Sequence, residues 1–336
     1  MSTTVTAVVE DIPPPSPLFV YGVTKRTMMS LPIELIEMIT SWLRRPELLS
    51  ICLTSKVLNS LGTRYLYRQV TRLDRLQTIR FLRSLTVNPD DERTLKRAAH
   101  VRSIFFDFSP CRVTANLLRL LHRALRSFVS LKSLSLEFGM QDNHYSLAWF
   151  LLDCPFQLRS FTTSIRCDDT LAAFIEGQRK LEELVLRGFQ TTSPFVLSPE
   201  ALPRLNAFRT VHAGVPVLKQ VMTGRPIEAV SLSLFQEDMF EPLDTLLLSV
   251  TQVKRLTIMS LGDTPPDLLL PEISARLPGL EALHIVVLMA RYTYVSRHVL
   301  YIFLPLLTFL LLYSRIICFV QLNISSPFLP CVTSHS

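Results

Sequence analysis

One short apolar pattern recurs eight times through the middle of this 336-residue chain. Each copy has apolar residues at its first and fourth positions, and an apolar residue or threonine at its sixth. Successive copies start 22 to 30 residues apart, so the pattern returns at a nearly constant period. Such a chain is expected to stack similar units and to present a binding surface. The copies occupy residues 101–106, 131–136, 158–163, 181–186, 205–210, 227–232, 253–258 and 280–285.

The pattern predicts a short β-strand in each copy. Positions four and six are two residues apart, so their side chains point to the same face of a strand. The stretches between copies favour helices, because they carry leucines at helical spacing or begin with an acidic residue or proline. These stretches are 115–128, 169–176, 216–222, 242–250 and 266–277. We therefore predict an α/β fold in which parallel strands and helices alternate along a curved solenoid, the alternative being an ordinary α/β domain with chance periodicity.

The repeat resembles the leucine-rich-repeat family in a degenerate form. That family usually has asparagine or cysteine three residues after the last apolar position, where the side chain bonds the backbone of the turn. Neither residue occurs at the eight equivalent positions, and this departure argues against regular curvature. The positions are Ser109, Gly139, Arg166, Phe189, Ala213, Phe235, Leu261 and Leu288.

Residues 30–70 form a second region with a pattern of its own. Pro32, Pro46 and Ser55 each stand where a helix can begin, and spaced aliphatic residues follow each of them. Three short helices within about forty residues expose more apolar surface than they can bury alone. The region therefore predicts contact with a partner.

This region resembles an F-box. The resemblance rests on the Leu-Pro opening, on spaced aliphatic residues and on a Leu-Tyr-Arg exit at 66–68. It implies docking onto the small adaptor protein that links F-box proteins to a cullin–RING ubiquitin ligase; the alternative is a helical cap on the end of the solenoid. The residues expected to bind the adaptor are Leu31, Pro32, Glu34, Leu35, Ile39, Leu43 and Leu48.

The two resemblances together imply a substrate-recognition subunit of an SCF-type ubiquitin ligase. The protein substrate is expected on the strand face opposite the buried positions. Arg187 and Arg209 fall there in adjacent repeats and favour a modest preference for acidic ligands. A repeat-based scaffold protein without a ligase link is the alternative function. The residues selected on this face are Glu137, Thr162, Arg187, Arg209, Ser231 and Thr257.

Motifs and charge give no sign of catalysis. The chain lacks a phosphate-binding glycine loop, a His-Glu-x-x-His motif and a Gly-x-Ser-x-Gly motif. We therefore expect that the protein is not an enzyme and binds no metal or cofactor. Residues 64–126 hold 14 Lys and Arg against 5 Asp and Glu. Without a nucleic-acid motif, this excess indicates a solvated helical connector and no specific nucleic-acid partner. The six cysteines form no Cys-x-x-Cys pair, which favours reduced thiols in the cytoplasm or nucleus.

The end of the chain differs from the rest. No Asp or Glu follows Glu281, and residues 299–313 carry no charge. Residues 299–320 could anchor the protein in a membrane, although the uncharged run is shorter than the roughly 20 residues of a spanning helix. Non-native sequence from a gene model and a buried terminal helix are the other interpretations. The predicted domains are a disordered arm at 1–29, an F-box at 30–70, a helical linker at 71–96, a solenoid at 97–290 and the tail at 291–336.

Overall fold

The structure is a computed structural model, and the chain divides into two compact units. Residues 1–62 are called the helical unit and residues 63–336 the sheet unit. The predicted arm lies outside the described residues. The structure describes residues 31–71, 73–87, 91–110, 112–142, 145–235, 240–260, 266–288 and 317–323.

The described part of the helical unit consists of helices. α1 (Ile33–Trp42) and α2 (Arg45–Cys52) lie wholly within it, and α3 (Lys56–Arg68) continues into the sheet unit. Pro32 immediately precedes α1, and Pro46 lies in the first turn of α2, where a backbone N–H would have no helical partner. The Ser55 hydroxyl accepts a hydrogen bond from the Leu58 backbone N–H at 3.2 Å and so caps α3 as predicted.

Helices α2 and α3 approach closely because Gly62 has no side chain. A Cβ atom at Gly62 would lie 2.5 Å from the Cys52 Sγ atom and 3.4 Å from the Leu48 carbonyl oxygen. The Asn59 side-chain amide donates a hydrogen bond to the Cys52 carbonyl at 2.8 Å. Leu48 and Leu58 are buried where these helices meet.

The sheet unit is built on one open sheet whose strands follow the order of the sequence. Among the described residues, nine neighbouring strands pair in parallel. All eight predicted strands are present, so the predicted α/β class with a parallel sheet is confirmed. The strands are β1 (Gln69–Val70), β2 (Ser103–Asp107), β3 (Ser133–Glu137), β4 (Ser160–Thr163), β5 (Glu183–Leu186), β6 (Ala207–Thr210), β7 (Ala229–Leu234), β8 (Arg255–Ser260) and β9 (Ala282–Leu288).

Helices occupy most of the connections between these strands. Side chains cap several of them: Asp74 begins α4, Thr114 begins α6 and Asp168 begins α7 by accepting a hydrogen bond from a backbone N–H. The helices are α4 (Arg75–Thr86), α5 (Glu92–His100), α6 (Ala115–Leu125), α7 (Asp169–Glu176), α8 (Gly214–Met222), α9 (Glu241–Thr245) and α10 (Pro266–Arg276). All five helices predicted between strands are therefore present, with ends that differ by a few residues.

Between β1 and β9, two connections contain no α-helix within their described residues. Between β3 and β4 the described chain makes only short 3-10 turns, at Met140–Asp142 and Ala148–Leu151. Between β5 and β6 it makes an irregular loop in which Pro194, Pro199 and Pro203 recur. Proline removes a backbone donor and clashes with the preceding helical turn, so this spacing prevents a continuous helix.

The hydrophobic core lies on the helix-covered side of the sheet. Apolar side chains at the first, fourth and sixth positions of the eight repeats are all buried, as the pattern predicts. Thr163 and Thr210, which fill the sixth position in two repeats, are buried as well. The alternation of buried and more exposed residues along β2, β3 and β4 shows that one face of the sheet is covered and the other open.

One arginine is part of this core. Arg225 is 1% exposed, and burial lowers the pKa of its guanidinium. The guanidinium has backbone carbonyl oxygens as its partners, at the end of α8 and in the loop before β6. It thus satisfies carbonyls that a helix end leaves without a helical donor. The carbonyls belong to Ser198, Ala201, Gln220, Val221 and Thr223.

Most of the tail lies outside the described residues, including the uncharged run at 299–313. The described segment Ile317–Asn323 is strand β10, which pairs antiparallel with β9. Within the described ranges, the structure contains no helix long and apolar enough to cross a membrane. The part of the predicted anchor that can be described is therefore extended rather than helical.

Candidate functional site

Helices α1 and α2 expose an unusual number of large apolar side chains. Trp42 at the end of α1 is 83% exposed, and Leu53 just after α2 is 89% exposed. Single exposed leucines are common on protein surfaces, but several within about twenty residues are typical of a contact surface. The exposed residues, called the apolar group, are Leu31, Ile33, Leu35, Met38, Ile39, Trp42, Leu49 and Leu53.

Most of the residues predicted to bind an adaptor are accessible. Leu31, Pro32, Glu34, Leu35 and Ile39 are exposed, and Leu43 is partly exposed. Leu48 is different. Only 6% of its surface is exposed, because it lies on the face of α2 that packs against α3. Its placement in the predicted contact surface is corrected: in this arrangement its side chain stabilises the helical unit and is not available to a partner.

On the sheet unit, the open face carries rows of side chains that run across the strands. One row joins eight consecutive Cα partners, one from each strand β2 to β9. The six residues selected from the sequence are all exposed or partly exposed on this face, and their role in substrate binding stays a prediction. Val185 is an exception within the row, since only 4% of its surface is exposed. The row is Phe105, Ser135, Thr162, Val185, Arg209, Ser231, Thr257 and His284.

Arg187 already has a carboxylate partner. Its Nη1 atom lies 2.9 Å from Glu137 Oε1, although Glu137 ends β3, Arg187 directly follows β5, and β4 lies between these strands. Burial raises the pKa of Glu137; the Arg187 charge lowers it and the Asp107 charge raises it further. Burial has the larger effect, so the ion pair only partly compensates for the desolvation of the carboxylate. The expectation that Arg187 and Arg209 act together on an acidic ligand is therefore not supported for Arg187.

The open face contains a depression over β5 to β9. Its volume is about 320 Å³. The floor consists of short side chains, because Ala207 and Ala229 are Cα partners in one row and Ser231 and Thr257 are partners in the next. Longer side chains surround these residues and form the sides. The residues that line the depression include Glu183, Arg209, Arg255 and His284. We call this site the arginine depression.

The cationic side chains of the arginine depression have no anionic partner among the described residues. Among the described residues, neither Arg209 nor Arg255 forms an ion pair or a side-chain hydrogen bond. The Glu183 carboxylate accepts a hydrogen bond from the Ser160 hydroxyl at 3.1 Å, on the β4 side of β5 and away from both arginines. The Ser231 hydroxyl likewise has no hydrogen-bond partner within the described part of the chain. The depression therefore offers uncompensated donors.

Our sequence prediction selected only part of this site. It named Arg209, Ser231 and Thr257 but missed Arg255. Arg255 stands two residues before Thr257, so the period of a strand already places both side chains on one face. A search of the third position of each repeat, in addition to the fifth, would have found it.

The described residues offer little for chemistry that requires a metal or a thiolate. They contain no group of three or more His, Cys, Asp or Glu side chains that could hold a metal ion. Burial raises the pKa of Cys154 and of Cys167 to about 12, so both thiols stay protonated near neutral pH. The expectation that the chain is not an enzyme stays a prediction.

Comparison with known proteins does not extend this description. No protein-family model matches the chain, and no curated protein matches it.

Proposed function

We propose that the protein is a substrate-recognition subunit of a cullin–RING ubiquitin ligase. In this proposal the helical unit is an F-box that binds the adaptor, and the sheet unit is a degenerate leucine-rich-repeat solenoid that binds a protein substrate. The apolar group on α1 and α2 is the observation that carries it. Burial of such side chains is a main source of free energy in protein association.

The resemblance of the sequence adds a second argument. The Leu31-Pro32 opening stands directly before α1, and Leu35 and Ile39 follow at helical spacing on the exposed side of that helix. An adaptor that covered these side chains would remove a large apolar area from water. A helical unit of this size buries little apolar surface alone, and this explains why so many of its apolar side chains remain exposed.

The experiment is co-expression of the full chain with the adaptor protein, followed by a pull-down. The variant Leu35→Asp/Ile39→Asp places two charges in the proposed contact, and we expect adaptor recovery to fall about tenfold or more. The control variant Leu76→Asp/Leu95→Asp changes two exposed leucines on helices of the sheet unit. It should bind like wild type.

Two results would contradict the proposal. The first is equal adaptor recovery by wild type and by Leu35→Asp/Ile39→Asp. The second is equal loss in the control variant, which would indicate a general effect of added charge. Leu48→Asp is not a suitable variant, because a charge at this buried position would disrupt the helical unit itself.

A scaffold protein without a ligase link is the second candidate. The arginine depression supports both candidates equally, because a scaffold protein and a ligase subunit each need a binding site on the sheet unit. Adaptor binding separates the two candidates, because only the ligase subunit requires it.

A further inference from the structure

The arginine depression combines three properties that a ligand site needs. It is concave, with a volume of about 320 Å³, at the lower end of the range for small-ligand pockets. It presents positive charge through Arg209 and Arg255, which have no anionic partner among the described residues. It also presents hydroxyl groups on Ser231 and Thr257 that make no hydrogen bond within the described chain.

The strand register sets the distance between the two arginines. Arg209 is the Cα partner of Ser231, and Ser231 is the partner of Thr257, which lies two residues after Arg255. The arginines are therefore two strands and two residues apart, or about 12 Å between Cα atoms at standard strand spacing. In an extended peptide, side chains four residues apart are separated by about 13 Å, and side chains two residues apart by about 7 Å. Because arginine side chains are flexible, the two guanidinium groups can reach acidic side chains at either spacing.

We propose that the arginine depression binds an acidic segment of a partner protein, with at least two carboxylates, one for each of Arg209 and Arg255. The partner is the protein that the sheet unit holds, so the inference rests on the proposed function. Each guanidinium would donate hydrogen bonds to one carboxylate, and such charge-assisted bonds are stronger than neutral ones. Ser231 and Thr257 would serve as hydrogen-bonding groups on the floor.

The distribution of charge on the open face favours a short acidic segment over a continuous polyanion. Glu183 lines one end of the depression. Asp107 and Glu137 are partners in a further row on the same face, towards β2 and β3. A nucleic acid lying across the face would place phosphates near these carboxylates, and like charges repel. A protein segment can place its carboxylates at the arginines and neutral residues elsewhere.

The experiment uses the full chain and a fluorescein-labelled peptide of alternating glycine and glutamate, with fluorescence anisotropy as the measurement. We expect wild type to bind this peptide more tightly than the matching glycine–glutamine peptide, with affinity that falls as salt is added. The variant Arg209→Gln/Arg255→Gln should lose about tenfold or more in affinity. It should fold normally, since both side chains are exposed and make no bonds within the described chain.

The control variant Arg179→Gln/Arg204→Gln removes the same charge from exposed positions outside the depression. It should keep its affinity within about twofold of wild type. The proposal is overturned if both double variants bind alike, or if the glutamine peptide binds as tightly as the glutamate peptide. It is also overturned if only a serine-phosphorylated glycine–serine peptide of equal charge binds, since the site would then recognise phosphoryl groups.

The outcomes for the two proposals can be told apart. Peptide binding depends on residues of β6 and β8, and adaptor recovery depends on residues of α1. Loss of peptide binding in the arginine variant with normal adaptor recovery supports the depression and leaves the ligase proposal to its own test. Failure of wild type to recover adaptor, together with peptide binding that requires both arginines, would reject the ligase role and keep the acidic-ligand site.

Discussion

At the scale of single residues, two charged side chains are held away from water in different ways. Arg225 donates to backbone carbonyls and needs no acidic partner in contact with it. Glu137 instead pairs with Arg187 across the intervening strand β4, and the Glu137 side chain is 15% exposed. Burial disfavours the charged form of both side chains: it lowers the pKa of Arg225, whose donors carbonyl oxygens satisfy, and raises the pKa of Glu137 beside a single cation.

The raised pKa of Glu137 predicts a pH dependence of stability. Between the ordinary glutamate pKa and the raised folded value, the folded state holds the proton more often than the unfolded state. The free energy of unfolding therefore falls as pH rises through this window, and the contribution of Glu137 stays absent at higher pH. Glu137→Gln does not titrate, so the variant should gain stability relative to wild type when urea unfolding is compared at about pH 4 and about pH 7.

The control for this prediction is Glu228→Gln. Glu228 is an accessible carboxylate paired with Lys254 at 3.2 Å. Its replacement measures how the removal of one exposed carboxylate alone changes the stability of the sheet unit. If Glu137→Gln instead lost stability relative to wild type as pH rose, the Arg187 ion pair would outweigh burial, contrary to the argument above.

At the scale of elements, the loop after β5 passes close to the loop after β4. The Cys167 backbone N–H donates to the Phe189 carbonyl at 2.9 Å, and Cys167 and Gln190 form an isolated parallel bridge. Gly188 lies within this contact. A Cβ atom there would come 1.8 Å from the Ile165 carbonyl oxygen, a backbone atom that cannot move without shifting the loop. The absence of a side chain at Gly188 thus permits the two repeats to stack.

We predict that Gly188→Ala destabilises the sheet unit by about 2–3 kcal/mol, since it forces extra volume into a packed contact. Urea unfolding followed by circular dichroism measures the change. Gly177→Ala is the matched control, because its Cβ would lie 3.4 Å from the nearest atom and its backbone is helical. That variant should be unchanged or more stable by about 0.5 kcal/mol. Similar losses in both variants would contradict the assigned clash.

At the scale of the whole molecule, the sheet unit has a simple topology. Each strand from β2 to β8 pairs only with the strands just before and after it in the sequence. Stability in such an array is approximately a sum of single units and of contacts between neighbours. An inner repeat has two full neighbours, whereas β2 has β3 on one side and only the two-residue strand β1 on the other.

This topology predicts a gradient in backbone protection. We expect amides of β4, β5 and β6 to exchange with deuterium more slowly than those of β2, in a measurement by mass spectrometry on the full chain. Gly188→Ala should speed exchange most in β4 and β5 and least in β2, because the disturbed contact joins the repeats of β4 and β5. Equal protection from β2 to β6, or a uniform response to the substitution, would show that the sheet opens as one unit.

The strands and their buried faces could be predicted because they depend on local order. Apolar residues two apart must share a face of a strand, so the six-residue pattern predicted eight strands and the orientation of Arg209 and Thr257. Helix starts were also local, as the Ser55 cap of α3 illustrates. The irregular loop between β5 and β6 is likewise a local feature, because it follows from the spacing of its prolines.

The candidate sites were decided by contacts between distant residues. Arg187 and Glu137 are 50 residues apart, and nothing near either of them indicates that they pair. Leu48 has the same helical spacing as exposed leucines, and only the approach of α3 at Gly62 buries it. The arginine depression exists because alanines of separate repeats fall into one row. That register depends on how all the repeats pack together, so only the tertiary structure brings Arg209 and Arg255 to one site.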